Sequence, residues 1–186
     1  PFYRAILSHM SGDARAAAVV RVKTGFTAAS VRGEEAHGLW VDGQLAGASL
    51  VCAPGQYPHR IGAYARIARG CATTGWKGIT KFLRADAYIT KLHIREAHYY
   101  LFVLGIDPSL QRQGLGKVLL RALSERADAR GVPSYLETDK PTSVHLYRSA
   151  GYEVLTEGDV ESVPGLHVWT MMRPARASVS GSAPGR

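Results

Sequence analysis

Only two cysteines, Cys52 and Cys71, occur in 186 residues, and they share no paired spacing. That excludes a disulfide framework and a cysteine-built zinc site, and it points to free thiols in a reducing compartment, the cytoplasm by default. No apolar run approaches the roughly 20 residues of a membrane-crossing helix. No internal repeat is present. No basic-then-apolar leader precedes the folded pattern, and the first residue is Pro1 rather than Met, so a start trimmed upstream is expected. Charged residues make up 20% and apolar residues 46%, close to ordinary globular usage, which excludes disorder by composition. The net charge of +8 favours polyanions in principle. However, several basic residues alternate with acids in helical stretches, and Arg173, Arg176 and Arg186 lie at or beyond the last strand. Without clustering or aromatic platforms this reads as solvated surface and not as a nucleic-acid footprint. An anionic cofactor can still use some of that charge.

The length fits one domain, taken as residues 1–174 with a polar, disordered tail over 175–186. Helical spacing of Phe2, Ile6, Val19, Val22 and Phe26 predicts two helices in the first 36 residues. Leu39-Trp40-Val41, Asp42-Gly43 and Leu45 to Val51 form a hairpin signature. Residues 60 to 97 again show helical spacing, interrupted by Gly70, Gly75 and Gly78. The nearly continuous apolar run from Tyr99 to Ile106 predicts a central strand buried on both faces. Gly114 to Arg130 follows as an amphipathic helix whose apolar side carries Leu115, Val118, Leu119, Ala122, Leu123 and Ala127. Gly131 is placed as its left-handed cap. A short strand from Ser134 to Thr138, a helix over about 142 to 150, and a final strand pair complete the chain.

The strand ending at Ile106 runs through Asp107-Pro108 into Gln111-Arg112-Gln113-Gly114-Leu115-Gly116, and a helix starts at once. A strand, a glycine-bearing turn and a helix N-terminus aim unpaired N–H groups and partial positive charge at one point, where a pyrophosphate fits. The loop is not a P-loop, since Gln111 and Val118 stand where Gly and Ser or Thr are needed. It is not the dinucleotide fingerprint either, since Leu119 replaces the third glycine. His93-x-x-Glu96-x-His98 is neither zinc-protease motif nor its inverse, so no metal site is expected. Gly47-Ala48-Ser49 lacks the following glycine of a nucleophile elbow.

Gln111-x-x-Gly114-x-Gly116 after Leu-Gly-Ile-Asp-Pro resembles the acetyl-CoA motif of the GNAT superfamily of N-acetyltransferases. Tyr135-Leu136-Glu137-Thr138, Leu146-Tyr147 and Gly151-Tyr152 resemble the following block of its puromycin N-acetyltransferase-like subgroup. The resemblance implies an α/β fold with a mixed, mostly antiparallel sheet, a splay between the central strands and helices on both faces. It implies acetyl-CoA as acyl donor and transfer to a primary amine by direct attack. A small-molecule amine is the expected acceptor; a protein lysine or N-terminus, and a non-catalytic acyl-CoA sensor, are the alternatives. No nucleic acid or membrane partner is implied, and a dimer is open.

By position, Gln111, Arg112, Gln113, Gly114, Gly116 and Lys117 would hold the pyrophosphate, largely through backbone N–H groups. Leu104 and Ile106 would pair their backbone with the pantetheine arm. Tyr147 matches the tyrosine near the cofactor sulfur, against the reading of an aromatic packed on the sheet. Many relatives carry a glutamate on the central strand where Tyr100 stands here, so Glu137 is the candidate base, against that of a salt-bridged strand residue. His98 and Tyr100 share a strand face and can line the same cleft. Ser143 stands where relatives commonly have asparagine, in a chain without any, and would keep one hydrogen bond to the cofactor. Tyr3, Phe26 and Trp76 are expected in core packing rather than at the substrate.

Overall fold

Asp42 and Gly43 both take positive φ, 49° and 76°, the pair that a type I′ turn requires. They join β1 (Ala36–Val41) to β2 (Gln44–Cys52), as the sequence predicts. The computed structural model describes residues 1–30, 36–56, 69 and 71–176. The helical spacing at Ile61, Tyr64, Ala65 and Ala68 and the tail from residue 177 therefore lie outside the described residues, as does the side chain of Phe26.

Six strands form one sheet in the order β1-β2-β3-β4-β6-β5, with β3 (Tyr99–Ile106), β4 (Ser134–Thr138), β5 (Glu153–Asp159) and β6 (His167–Arg173). Among the described strands only β3 and β4 run parallel. A parallel pair needs a crossover, and α4 (Leu115–Ala129) supplies it. Its buried side is Leu119, Leu120, Leu123, Ser124 and Ala127. The expected apolar side is therefore rotated by part of a turn: Val118, at 50% exposure, and Ala122 face solvent, while Leu120 is fully buried. Ser124 turns its hydroxyl back to the Leu120 carbonyl at 2.9 Å, which lets a polar residue sit in that stripe. Gly131 takes φ 64° after the helix, as its cap placement requires.

Helices cover both faces. Under α4 and α5 (Pro141–Ser149), Tyr99, Leu101, Leu136 and Met171 pack with Leu120, Leu123, Val144 and Tyr147. On the other face, α1 (Phe2–Ile6), α2 (Gly12–Ser30) and α3 (Gly75–Leu92) bury Ile6, Leu7, Ala18 and Ala85 against Val160, Val163, Leu166 and Val168. Tyr3 packs with Val22 and Cys71, whereas Trp76 is 77% exposed and takes no part in the core. Both cysteines are buried and neither forms a disulfide. Arg173 departs from the expected solvated surface. It is 4% exposed, and Nη1 and Nη2 each donate to an Asp128 oxygen at 2.8 Å, tying β6 to α4. No helix among the described residues is long and apolar enough to cross a membrane.

Candidate active site

β3 and β4 pair only through Tyr99↔Ser134 and Tyr100↔Tyr135 and then diverge. The cause lies one residue further along. Across to β2, Leu50 faces Val103 but Val51 faces Leu101, so Phe102 is an extra residue in a β-bulge. A bulge bends its strand and raises the local twist, which turns β3 away from β4. It also resets the alternation. Tyr99 and Leu101 face α4 and α5 before the bulge, and Leu104 and Ile106 return to that same side after it, beside Gly116 and Leu146. The side chains of Leu104 and Ile106 are therefore partly buried packing residues, and only their backbone edge faces the gap. Gly47 holds the far end of β3 close to β2, since a Cβ there would meet the Gly105 carbonyl oxygen at 2.9 Å.

At the end of β3 the chain makes a 3-10 turn, Pro108–Leu110, held by Asp107, whose carboxylate accepts from the Ser109 N–H at 2.8 Å. The Ser109 hydrogen bonds hold that carboxyl below its usual value. The Gln111 amide donates to the Ile106 carbonyl at 3.2 Å and so fastens the loop to the strand. Arg112 and Gly114 then take left-handed φ angles of 65° and 81°. Such alternation gathers successive backbone N–H groups into one concavity suited to an anion. Gly114 caps α4 without any side-chain bond, which leaves the first-turn N–H groups of Leu115 and Gly116 for a ligand. One expectation changes: the Lys117 N–H bonds the Gly114 carbonyl at 2.9 Å, so Lys117 can reach a phosphate only with its ammonium. Gly114 has nothing within 4 Å of a would-be Cβ, and the cradle is open on that side. The residues present thus fit a pyrophosphate.

Tyr147 and Ser143 sit one helical turn apart in α5, on the face toward the sheet. Tyr147 packs beside Tyr152 with ring centroids 5.9 Å apart. Burial, followed by the neighbouring Tyr152 and Asp139, pushes its phenol up to about 12. Asp139, just past the end of β4, also accepts the Phe2 N–H and so ties α1 to this mouth of the gap.

Glu137 comes from the opposite face of β4. With about 3.3 Å of rise per residue, it stands roughly 7 Å beyond the last β3 pairing and points toward α3. Its Oε1 lies 3.0 Å from Nδ1 of His93, and both side chains are under one tenth exposed, at 8% and 7%. His93 Nε2 lies 3.0 Å from Nε2 of His98, and His98 Nδ1 donates to the Glu96 carbonyl at 2.6 Å. Tyr100 and Tyr135 stand edge-on against the His93 ring at 4.8 and 4.7 Å. His98 and Tyr100 do share a face, as alternation predicts, with centroids 6.5 Å apart. Burial holds the His98 pKa below its ordinary value, opposed by its bond to the Glu96 carbonyl. Asp86 on α3 is raised by surrounding protein first and by the Glu137 charge second. Sequence reasoning singled out Glu137 but not His93, which it weighed only as part of a metal-like spacing. In the structure α3 ends at Leu92, and His93 turns back over the sheet in extended backbone.

The Acetyltransferase (GNAT) family matches residues 39–152, from the hairpin through the splayed strands and the N–H loop to Tyr152. The chain belongs to the GNAT family. Its mixed six-stranded sheet with helices on both faces is the GNAT acyltransferase fold. Among similar GNAT proteins, the N-alpha-acetyltransferase RimI of Mycobacterium tuberculosis is 32% identical over 118 residues, covering 62% of this chain and 65% of that protein. The mycothiol acetyltransferase of Thermobifida fusca is 45% identical over 64 residues, covering 32% of this chain and 19% of that protein. The match thus spans less than two thirds of the length of these curated relatives. The solved polyamine N acetyltransferase of Drosophila melanogaster shares the GNAT fold at 14% identity with a TM-score of 0.53, covering 75% of this chain and 74% of that one.

Proposed function

We propose that residues 1–174 form an N-acetyltransferase that moves the acetyl group of acetyl-CoA to a primary amine by direct attack. One observation carries this reading: the β3–β4 gap has an N–H cradle at its mouth, with Tyr147 and Glu137 approaching it from opposite faces of the sheet. The backbone N–H groups of Gln113, Gly114, Leu115 and Gly116 and the side chains of Arg112 and Lys117 bind the pyrophosphate. The gap-facing backbone edges of Leu104 and Ile106 pair with the pantetheine arm as an added strand would, Ile106 while its carbonyl also accepts from Gln111. Ser143 supplies one further hydrogen bond.

The attacking amine must be neutral, and an ordinary alkylammonium has a pKa of about 10. Glu137 takes its proton. The carbon–sulfur bond then breaks, and the thiolate is stabilised by the Tyr147 hydroxyl. With the phenol at about 12 and a thiol near 8.5, complete proton transfer runs uphill by about 5 kcal/mol. Tyr147 therefore acts by hydrogen bonding to sulfur, and the thiol gains its final proton from water. This amends the expectation of a phenol at its ordinary pKa.

The acceptor we favour is the amine of a small molecule, in line with the Glu137–Tyr147 block that resembles the puromycin subgroup. The likeness to an N-alpha-acetyltransferase favours a second reading, acetylation of a protein N-terminus. Buried cysteines without a disulfide fit a reducing cytoplasm for either. A thiol-release assay with acetyl-CoA and separate panels of small amines and free-N-terminus peptides decides between them. One thiol released per acetylated amine supports the transferase. Binding of acetyl-CoA without release for any amine overturns it in favour of a sensor.

A further inference from the structure

We propose that Glu137, His93 and His98 form a one-proton relay, which accepts the acceptor amine's proton inside the sheet and returns it to water at His98. The relay rests on the transferase reading above and adds His93 and His98 as positioning residues, which act through Glu137 and do not touch substrate.

The argument is a count of protons. The Glu96 carbonyl can only accept, so the 2.6 Å contact fixes a hydrogen on His98 Nδ1. Neutral His98 then presents a bare Nε2 to His93 Nε2 at 3.0 Å. His93 must fill that contact with its own hydrogen, which leaves its Nδ1 bare against a Glu137 oxygen at 3.0 Å. A carboxylate and two neutral imidazoles therefore bring one hydrogen to two contacts that each need one. Adding a single proton satisfies both, and it does so equally as carboxylic acid, as His93 imidazolium or as His98 imidazolium. Both contacts lie at hydrogen-bond distance, 3.0 Å, which the loaded row satisfies at once. In the step itself the ammonium N–H bond breaks, its electron pair stays on nitrogen as the nucleophile, and the proton enters the row. The new carbon–nitrogen bond leaves that nitrogen cationic, and its second proton passes through water to the departing sulfur as the carbon–sulfur bond breaks. The row then loses one proton from His98 Nε2 to water, so ammonium and thioester give amide, thiol and one released proton.

The surroundings fit this use. Tyr100 is 6% exposed and Tyr135 is fully buried; together they wall His93 in, which keeps water from short-circuiting the row. The Tyr135 hydroxyl donates to the Leu92 carbonyl at 3.4 Å and so braces the turn that carries His93. The titratable and charged groups facing the row are Asp86 from α3, Glu96 from the connecting segment, Tyr100 from β3, and Tyr135 and Glu137 from β4. Burial of His98 favours release at the exit end, opposed by its bond to the Glu96 carbonyl and by the Glu137 and Glu96 charges. The row runs from a side chain under one tenth exposed to one that is partly exposed, which gives the proton a direction.

The test compares wild type, His98→Gln and His93→Gln in thiol release across pH, with and without added imidazole. His98→Gln is expected to lower kcat about tenfold and His93→Gln about a hundredfold, each with an unchanged KM for acetyl-CoA and an altered acid limb of the pH profile. Imidazole should restore part of the His98→Gln rate. Wild-type kcat and profile in His98→Gln, or a loss that ignores imidazole, overturns the relay. Because His93 is buried and its variant can misfold, the half-exposed His98 decides. Nitrogen-15 spectra of the wild-type imidazoles give a readout independent of turnover. Hydrogen on His98 Nδ1 and a proton shared between His93 and Glu137 that vanishes in Glu137→Gln support the row, and hydrogen on neutral His98 Nε2 overturns it. If no amine gives thiol release the transferase reading fails, and these spectra alone then decide whether the row exists.

Discussion

Replacing Asp128 by Asn tests how α4 is held to β6. Asp128 on α4 accepts both Arg173 guanidinium donors at 2.8 Å and the Arg176 backbone N–H at 2.7 Å. Removing one member of a buried ion pair costs about 3–5 kcal/mol, because the other charge stays buried without compensation. Asp128 itself keeps 23% exposure, and asparagine retains one acceptor oxygen, so the discounted cost is about 2 kcal/mol. For a chain of 186 residues that lowers Tm by about 4–8 °C. The pH dependence carries the sign. The Arg173 hydrogen bonds, chiefly, hold the Asp128 carboxyl below its reference value of 3.8. Its contribution is therefore present above about pH 4 and lost as pH falls through the lowered folded value. Thermal unfolding followed by circular dichroism should show the Tm gap between wild type and Asp128→Asn at pH 7 and its closure toward pH 2–3. A gap below 1 °C at pH 7, or one that persists undiminished in acid, refutes the reasoning.

Tyr147→Phe should cut kcat by about 100-fold or more while leaving KM for acetyl-CoA within twofold, read in the same thiol assay. Gly114→Ala places a side chain at φ 81° with nothing within 4 Å, so its cost is backbone strain alone, about 1–2 kcal/mol. Binding titration should show acetyl-CoA affinity falling about tenfold. Gly47→Ala meets the Gly105 carbonyl oxygen at 2.9 Å and Ile106 Cδ1 at 2.5 Å. The methyl can rotate away but the carbonyl cannot, so β3 shifts into the gap. A stability loss of about 1–3 kcal/mol should accompany a raised KM for acetyl-CoA; an unchanged KM would show that β3 does not move.

What was legible in the sequence was local. Asp42-Gly43 declared its turn, Gly131 its cap, and the Gln111 to Gly116 loop its strand-to-helix context, because each depends on neighbours within a few residues. The α4 stripe was legible as a helix but not in its rotation, since Val118 and Leu120 are equally apolar and only the packing of Leu120 over the sheet separates them. The bulge at Phe102 was hidden for a related reason: an unbroken apolar run carries no alternation for a bulge to interrupt. Arg173 with Asp128 and Glu137 with His93 are pairs 45 and 44 residues apart, brought together by the β4–β6 register and by the turn after α3. No spacing rule reaches that far.

The two faces of the gap divide the reaction into halves that kinetics can separate. Tyr147, held at about 12 by burial, stays a neutral hydrogen-bond donor throughout the working range, so its loss lowers the rate equally at every pH. The proposed Glu137 row takes up and passes on one proton in each turnover, so variants there should reshape the profile as well as lower it. The two effects should multiply in a double variant, because Tyr147 lies with the α4–α5 core and Glu137 faces α3, with β4 between them. A Tyr147→Phe enzyme that loses its acid limb would place the phenol in the proton path and refute the division. So would a double variant no slower than the slower single, since the two groups would then be acting as one unit.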